Sequence, residues 1–283
     1  MHDSSVTPVA AVSEPAFTAR RVSTRLGDVA IRECGHGPHT IVLLHGISSG
    51  AGSWAQCAGL LADRAHVIAW DAPGYGESDP LPQATPLATD YAARLDALLD
   101  ALGISDCVLV GHSLGALMAA GYSSLPTSRA RAYVVFSPAL GYGGSPRADQ
   151  VRQGRLANLD QLGIAGMAKA LPARLLSDAA DEPQRAAVTA NAMRLNQAGY
   201  RQAVELLCGD DINRYSGFTP ENCRVYCGDK DIVTTPEQSA AYAQTHELAF
   251  GLVEGAGHAC YIEQPARVAA LIGQALTNKT GRA

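Results

Sequence analysis

Short apolar runs alternate along the chain with longer segments of helical character, the β-α-β rhythm that builds a mostly parallel sheet. The pattern predicts strands at Ala19 to Ser23, Val29 to Glu33, Thr40 to Leu44, Ala65 to Trp70, Cys107 to Val110, Ala132 to Phe136, Arg224 to Cys227 and Glu247 to Val253. Between them it predicts helices at Gly52 to Leu61, Pro86 to Leu102, Leu114 to Ser124, Pro236 to Gln244 and Pro265 to Asn278. The rhythm breaks from Tyr142 to Gly217. There Arg147 to Leu162, Ile164 to Leu176, Glu182 to Gln197 and Tyr200 to Leu207 read as helical and no strand is convincing. The division that follows is an α/β core over residues 19–141 and 218–278, a helical insertion over residues 142–217, and a disordered tail over residues 1–18. No internal repeat or low-complexity block is visible.

The β-type run Val108-Leu109-Val110 leads straight into Gly111-His112-Ser113-Leu114-Gly115 and then into a small-residue helix. In a G-x-S-x-G turn the glycines allow a sharp reversal and a close strand–helix approach, so the serine holds a strained backbone with Oγ exposed. Ser113 is therefore the candidate nucleophile, and a helix N-cap is the plainer role it could have instead. A serine hydroxyl is a weak nucleophile at neutral pH. It needs a base within reach and a carboxylate to hold that base in one tautomer. Arg224 to Val233 reads as a strand ending in a Gly-Asp turn with two acids, Asp229 and Asp231, and Leu252 to His258 is a second strand-then-loop segment ending in histidine. The chain order is Ser, Asp, His.

In these motifs the chain resembles the α/β-hydrolase superfamily in its serine-nucleophile branch, from about residue 20 onward. His45-Gly46 resembles the oxyanion-loop motif, Asp71-Ala72-Pro73-Gly74-Tyr75-Gly76-Glu77-Ser78 the D-x-x-G-x-G-x-S loop, and Gly111 to Gly115 the nucleophile elbow. Gly228 to Asp231 resembles the acid turn, and Gly257-His258 with Glu263-Gln264-Pro265 the closing G-H-x-x-x-x-E-x-P. The resemblance implies an α/β-hydrolase fold with a helical cap inserted before the acid-bearing strand. It also implies a triad of Ser113, Asp231 and His258, with Asp229 left as a turn residue. The oxyanion donors it implies are the backbone N–H groups of Ile47 and Leu114. His45 matches the family's structural histidine, and His112 fills the elbow's variable position. Five motifs in order specify the fold well and the substrate poorly.

For substrate contacts the candidates are Ser48 and Trp54 in and beside the polar loop after His45, and cap arginines able to fork onto a carboxylate, Arg155 and Arg194 foremost among Arg152, Arg155, Arg174, Arg194 and Arg201. Met167, Leu171, Leu175, Met193 and Leu195 have the spacing of buried helix faces. The activity implied is hydrolysis of a small carboxylic ester or lactone through an acyl-enzyme. Its main competitor is C–C bond hydrolysis of a ring-cleavage product. Against that competitor, Ala259 and His112 stand where such enzymes usually carry tryptophan and asparagine. Dehalogenases and epoxide hydrolases of this fold need an aspartate nucleophile, which Ser113 replaces. A cofactor-free perhydrolase would keep the same triad, and a small-molecule receptor on this fold would not need it.

Composition narrows the setting. With 283 residues and 47% hydrophobic content the chain can bury a large core. A formal net charge of −5 without a Lys/Arg cluster argues against nucleic acid or an anionic membrane as partner. No apolar run is long enough to span a bilayer, and Met1 to Glu14 lacks the basic and apolar regions of a signal peptide. Seven cysteines without a framework point to reduced thiols and a cytoplasmic setting. Cys223 and Cys227, four residues apart on one strand, would lie about 13 Å apart and cannot bridge. Cys260 reads as a buried structural thiol. The expected partner is a small-molecule substrate, with a homodimer left open. Neither metal nor cofactor is called for.

Overall fold

In the computed structural model, which describes residues 17–277, the apolar runs pair into one eight-stranded sheet. The strands are β1 (Thr18–Val22), β2 (Val29–Cys34), β3 (His39–Leu44), β4 (Ala65–Trp70), β5 (Cys107–His112), β6 (Ala130–Phe136), β7 (Cys223–Gly228) and β8 (Ala249–Val253), in the order β1-β2-β4-β3-β5-β6-β7-β8. β1 and β2 run antiparallel, as do β2 and β4, and every other pairing is parallel. All six residues of β5 are buried, the expected signature of a strand covered on both faces. The edge strands β1 and β8 are mostly exposed.

The helices are α1 (Ala55–Gly59), α2 (Ala88–Ala101), α3 (Leu114–Ser123), α4 (Ala148–Leu175), α5 (Glu182–Ala192), α6 (Gln197–Gly209), α7 (Pro236–Thr245), α8 (Cys260–Glu263) and α9 (Pro265–Ala275). α3 packs directly behind β5. A Cβ on Gly115 would stand 2.4 Å from the Leu44 carbonyl oxygen, so only glycine allows this approach. Of the tail assigned to residues 1–18, residues 1–16 lie outside the described residues, and Thr18 already belongs to β1. Asn278, the expected end of the last helix, also lies outside them, and α9 closes at Ala275.

Three expectations need correction. The segment from Gly52 to Leu61 is a 3-10 turn (Ala51–Trp54) followed by the short α1. The helix expected to run to Gln197 stops at Ala192, because Asn196 accepts the Gly199 N–H and caps α6 instead. Glu247 is not in a strand: its φ of 55° places it in the turn before β8. The insertion between β6 and β7 is helical as expected. Its helix α4 is interrupted at Gly163, whose φ of 60° and ψ of −179° are not helical. Asp210, fully buried, ties the end of α6 to the core: its Oδ2 accepts from the Ala88 N–H at 2.8 Å and from the Tyr215 hydroxyl at 2.6 Å.

Candidate active site

Ser113 sits between β5 and α3 with φ 54° and ψ −117°, a conformation that costs a non-glycine residue about 1–3 kcal/mol. Hydrogen bonds on both sides hold it there. Its N–H donates to the Phe136 carbonyl at 3.0 Å, and its carbonyl accepts from Ala116 at 3.0 Å and Ala139 at 3.1 Å. Ser113 is 5% exposed and lines a cavity of about 680 Å³, within the range that takes small ligands.

His258, from the loop after β8, lines the same cavity. Its Nδ1 donates to Asp231 Oδ2 at 2.8 Å, which leaves the Nε2 lone pair to accept a proton. Asp231 is 3% exposed in the turn after β7, and its other oxygen accepts from the Val233 N–H at 2.7 Å and the Thr234 N–H at 3.1 Å. Burial opposes its ionisation. The His258 charge and hydrogen bond, with the Val233 donor, outweigh that and hold the carboxyl well below the usual carboxylate range. Among the described residues no hydrogen bond joins Ser113 Oγ to His258, although both face one cavity. Such contacts are often loose without substrate.

The two expected oxyanion donors border this cavity as well. Neither the Ile47 nor the Leu114 N–H has an acceptor among the described residues, and Leu114 opens α3, where the first N–H groups have no partner within the helix. The loop carrying Ile47 is braced from below. The Ala72 N–H donates to His45 Nε2 at 3.0 Å, His45 Nδ1 donates to the Gly46 carbonyl at 2.8 Å, and the Tyr75 hydroxyl donates to the Ile47 carbonyl at 2.8 Å. His45 is thus committed on both nitrogens. Burial pushes its pKa down although Asp71 pulls the other way.

Ser48 and Arg155 line the cavity. Trp54 does not: it is fully buried behind Tyr261, on which it stacks at 4.1 Å, and Tyr261 presents its own ring to the cavity. Arg147, Arg174 and Arg194 are all exposed, but Arg147 and Arg174 also border the cavity and Arg194 does not. Of the expected apolar faces, Met167, Leu171 and Leu195 are buried but Met193 is 51% exposed. Cys260 is buried and not in the cavity wall, and all seven cysteines are free and buried.

Sequence reasoning missed Tyr261, Thr234 and Glu263 as parts of the site. Glu263 belongs to the closing motif and could have been weighed from it. Its carboxylate accepts the Gly257 N–H at 2.7 Å and the Ser177 N–H at 3.0 Å, which fastens the histidine loop to the helical insertion. Among the described residues no group of three or more His, Cys, Asp or Glu side chains is placed to hold a metal ion. No helix there is long and apolar enough to cross a membrane.

A sequence model of the alpha/beta hydrolase family matches residues 41–271, which takes in every element of this site. The chain belongs to the alpha/beta hydrolase family. Among curated proteins of the family it is similar to a 2-hydroxy-6-oxononadienedioate/2-hydroxy-6-oxononatrienedioate hydrolase of Dechloromonas aromatica, 32% identical over 122 residues, covering 40% of this chain and 42% of that protein. It is also similar to the 2-(acetamidomethylene)succinate hydrolase of Mesorhizobium japonicum, 36% identical over 105 residues and 37% of each chain. These matches span less than half the length of the curated relatives. In fold it resembles the enol-lactonase of Burkholderia xenovorans, with a TM-score of 0.79 at 19% identity over 91% of this chain and 100% of that one. It likewise resembles an esterase of Thermogutta terrifontis, with a TM-score of 0.75 at 22% identity over 92% of this chain and 98% of the other.

Proposed function

We propose that this alpha/beta hydrolase cleaves a small carboxylic ester or lactone through an acyl-enzyme. The observation that carries the reading is the 2.8 Å contact between Asp231 and His258, with the imidazole facing a cavity that also holds Ser113 and two unpartnered backbone N–H groups. Ser113 Oγ attacks the carbonyl carbon while His258 Nε2 takes its proton. The Ile47 and Leu114 N–H groups stabilise the oxyanion. As the tetrahedral intermediate collapses, the alkoxide leaves with the proton from His258. Water, deprotonated by the same imidazole, then attacks the acyl-enzyme and releases the acid and free Ser113. Seven free thiols support a reducing, cytoplasmic setting for this chemistry.

A second reading, C–C bond hydrolysis, draws support from the names of the dienedioate relatives and meets opposition in Ala259 and His112. The test has two arms. A fluorophosphonate probe is expected to label the wild type stoichiometrically and Ser113→Ala not at all, and equal labelling of the two proteins would remove Ser113 as nucleophile. Turnover of aryl esters and lactones is then compared with that of vinylogous 1,5-diketone acids, all abolished in Ser113→Ala. Preference for the diketone acids would replace ester cleavage by C–C cleavage.

A further inference from the structure

The wall of the cavity is electrostatically one-sided. Three arginines, Arg147, Arg155 and Arg174, line it, and no Asp or Glu does among the described residues, in a chain whose formal net charge is −5. Neighbouring insertion arginines behave differently. Arg152 is bridged to Glu205 at 3.0 Å and also pairs with Asp149, and Arg201 pairs with Asp160. Arg155 and Arg174 have no carboxylate partner among the described residues, and the hydrogen bond of the Arg155 guanidinium is a long one to the Tyr200 hydroxyl at 3.4 Å. Two such forks facing a cavity without a counter-ion are a standing deficit of negative charge.

Their proximity is also built rather than incidental. Arg155 and Arg174 both belong to α4, where a straight helix rising ~1.5 Å per residue would hold them roughly 28 Å apart. The break at Gly163 folds the two halves of α4 so that both side chains reach one cavity. Arg174 keeps contact with solvent, yet desolvation by the cavity wall and the charge of Arg155 lower its pKa, as expected for two cations brought near each other. Leu140, Leu171, Leu175, Val188 and Leu207 line the same space and suit a short carbon chain.

We propose that Arg155 and Arg174 form a carboxylate-binding site, and that the substrate is an acid carrying a free carboxylate on these guanidiniums and, a short chain away, the carbonyl that Ser113 attacks. This rests on the Ser113 reading for its second half only. The binding half is tested without turnover, by calorimetric titration of Ser113→Ala with glutarate, butyrate and inorganic phosphate. Glutarate is expected to bind, more tightly than butyrate or phosphate. Arg155→Gln and Arg174→Gln should each weaken it roughly 10- to 100-fold, Arg155→Lys and Arg174→Lys should weaken it less, and Arg152→Gln should leave it unchanged. Circular dichroism of each variant controls for folding.

The reacting half uses two substrates that differ only in charge, mono-4-nitrophenyl glutarate and its methyl ester. Wild type is expected to favour the free acid about tenfold or more in kcat/KM, through KM, and the Arg→Gln variants should lose that preference, with kcat/KM falling far more for the free acid than for the neutral diester. Glutarate binding that is absent, or unchanged in the Arg155→Gln/Arg174→Gln double variant, overturns the proposal, and so does tighter binding of phosphate. If labelling of Ser113 fails while glutarate still binds through the arginines, only the catalytic reading falls.

Discussion

The carboxylate of Asp231 receives two backbone N–H groups on one oxygen and His258 Nδ1 on the other. Held well below the usual range, it stays ionised throughout neutral pH and cannot serve as a proton store. In the proposed mechanism its work is to keep one imidazole tautomer and stabilise the imidazolium. Asp231→Asn keeps the shape but turns an N–H or a weaker acceptor toward Nδ1. We expect kcat on an aryl ester to fall by about 10³- to 10⁴-fold with KM little changed, and a variant within tenfold of wild type would deny Asp231 this role. That Asp231 would meet His258 beside the cavity holding Ser113 was legible in the sequence because each sits in a short motif whose glycines impose its backbone geometry. Trp54 and Arg194 were misjudged for the opposite reason. Nothing local tells whether a ring faces a cavity or stacks behind Tyr261, and Arg194 was read on a helix that stops at Ala192, which leaves it in the turn before α6.

At the level of elements the decisive bend is at Gly163. With φ 60° and ψ −179° it occupies a region open almost only to glycine, and no heavy atom lies within 4 Å of where its Cβ would be. Gly154, on the same helix, has equally open space and ordinary helical geometry. The two positions therefore separate strain from crowding. Gly154→Ala is expected to stabilise by about 0.5–1 kcal/mol through helix propensity, whereas Gly163→Ala should destabilise by about 1–3 kcal/mol and weaken glutarate binding with it. Urea midpoints for the two variants check this, and a stabilising Gly163→Ala would mean that the break is not needed. The sequence placed the boundary between Leu162 and Ile164 because Gly interrupts the helical run there. It missed the stop after Ala192, where the capping bond from Gly199 to Asn196 competes with an uninterrupted helical pattern, and it overran the start of β8 through Glu247.

Across the whole molecule, the succession of strands and helices along the chain and the helical insertion followed from the alternation of apolar runs. What joins insertion to core did not, because it runs through single buried side chains. Glu263 links the histidine loop to Ser177, and Asp210 links α6 to α2 and Tyr215. Burial on this scale also sets how stability answers to pH. His112 is 3% exposed, its Nε2 donates to the His258 carbonyl at 2.8 Å, and burial with the nearby His258 charge pushes its pKa down to about 3. His45 is shifted the same way by burial. Between those depressed folded values and an unfolded value of about 6.5, the unfolded chain binds more protons than the folded one. Stability must therefore fall as pH drops below about 6.5. Each such histidine contributes at most about 1.4 kcal/mol per pH unit, and Asp231, also depressed, extends the loss below pH of about 4. Buried thiols and phenols act at the other end. Burial raises Cys57, Cys223, Cys260 and Tyr91, so their unfolded forms ionise first and stability declines above pH of about 8.5 to 10. Urea midpoints measured from pH 4 to 10 should therefore show a plateau from about pH 7 to 8.5 with losses on both sides, and His112→Gln should flatten the acid side. A midpoint that rises on acidification from pH 7 to 5 would mean that these histidines are charged in the folded protein, and the hydrogen bonds assigned to His45 and His112 would have to be redrawn.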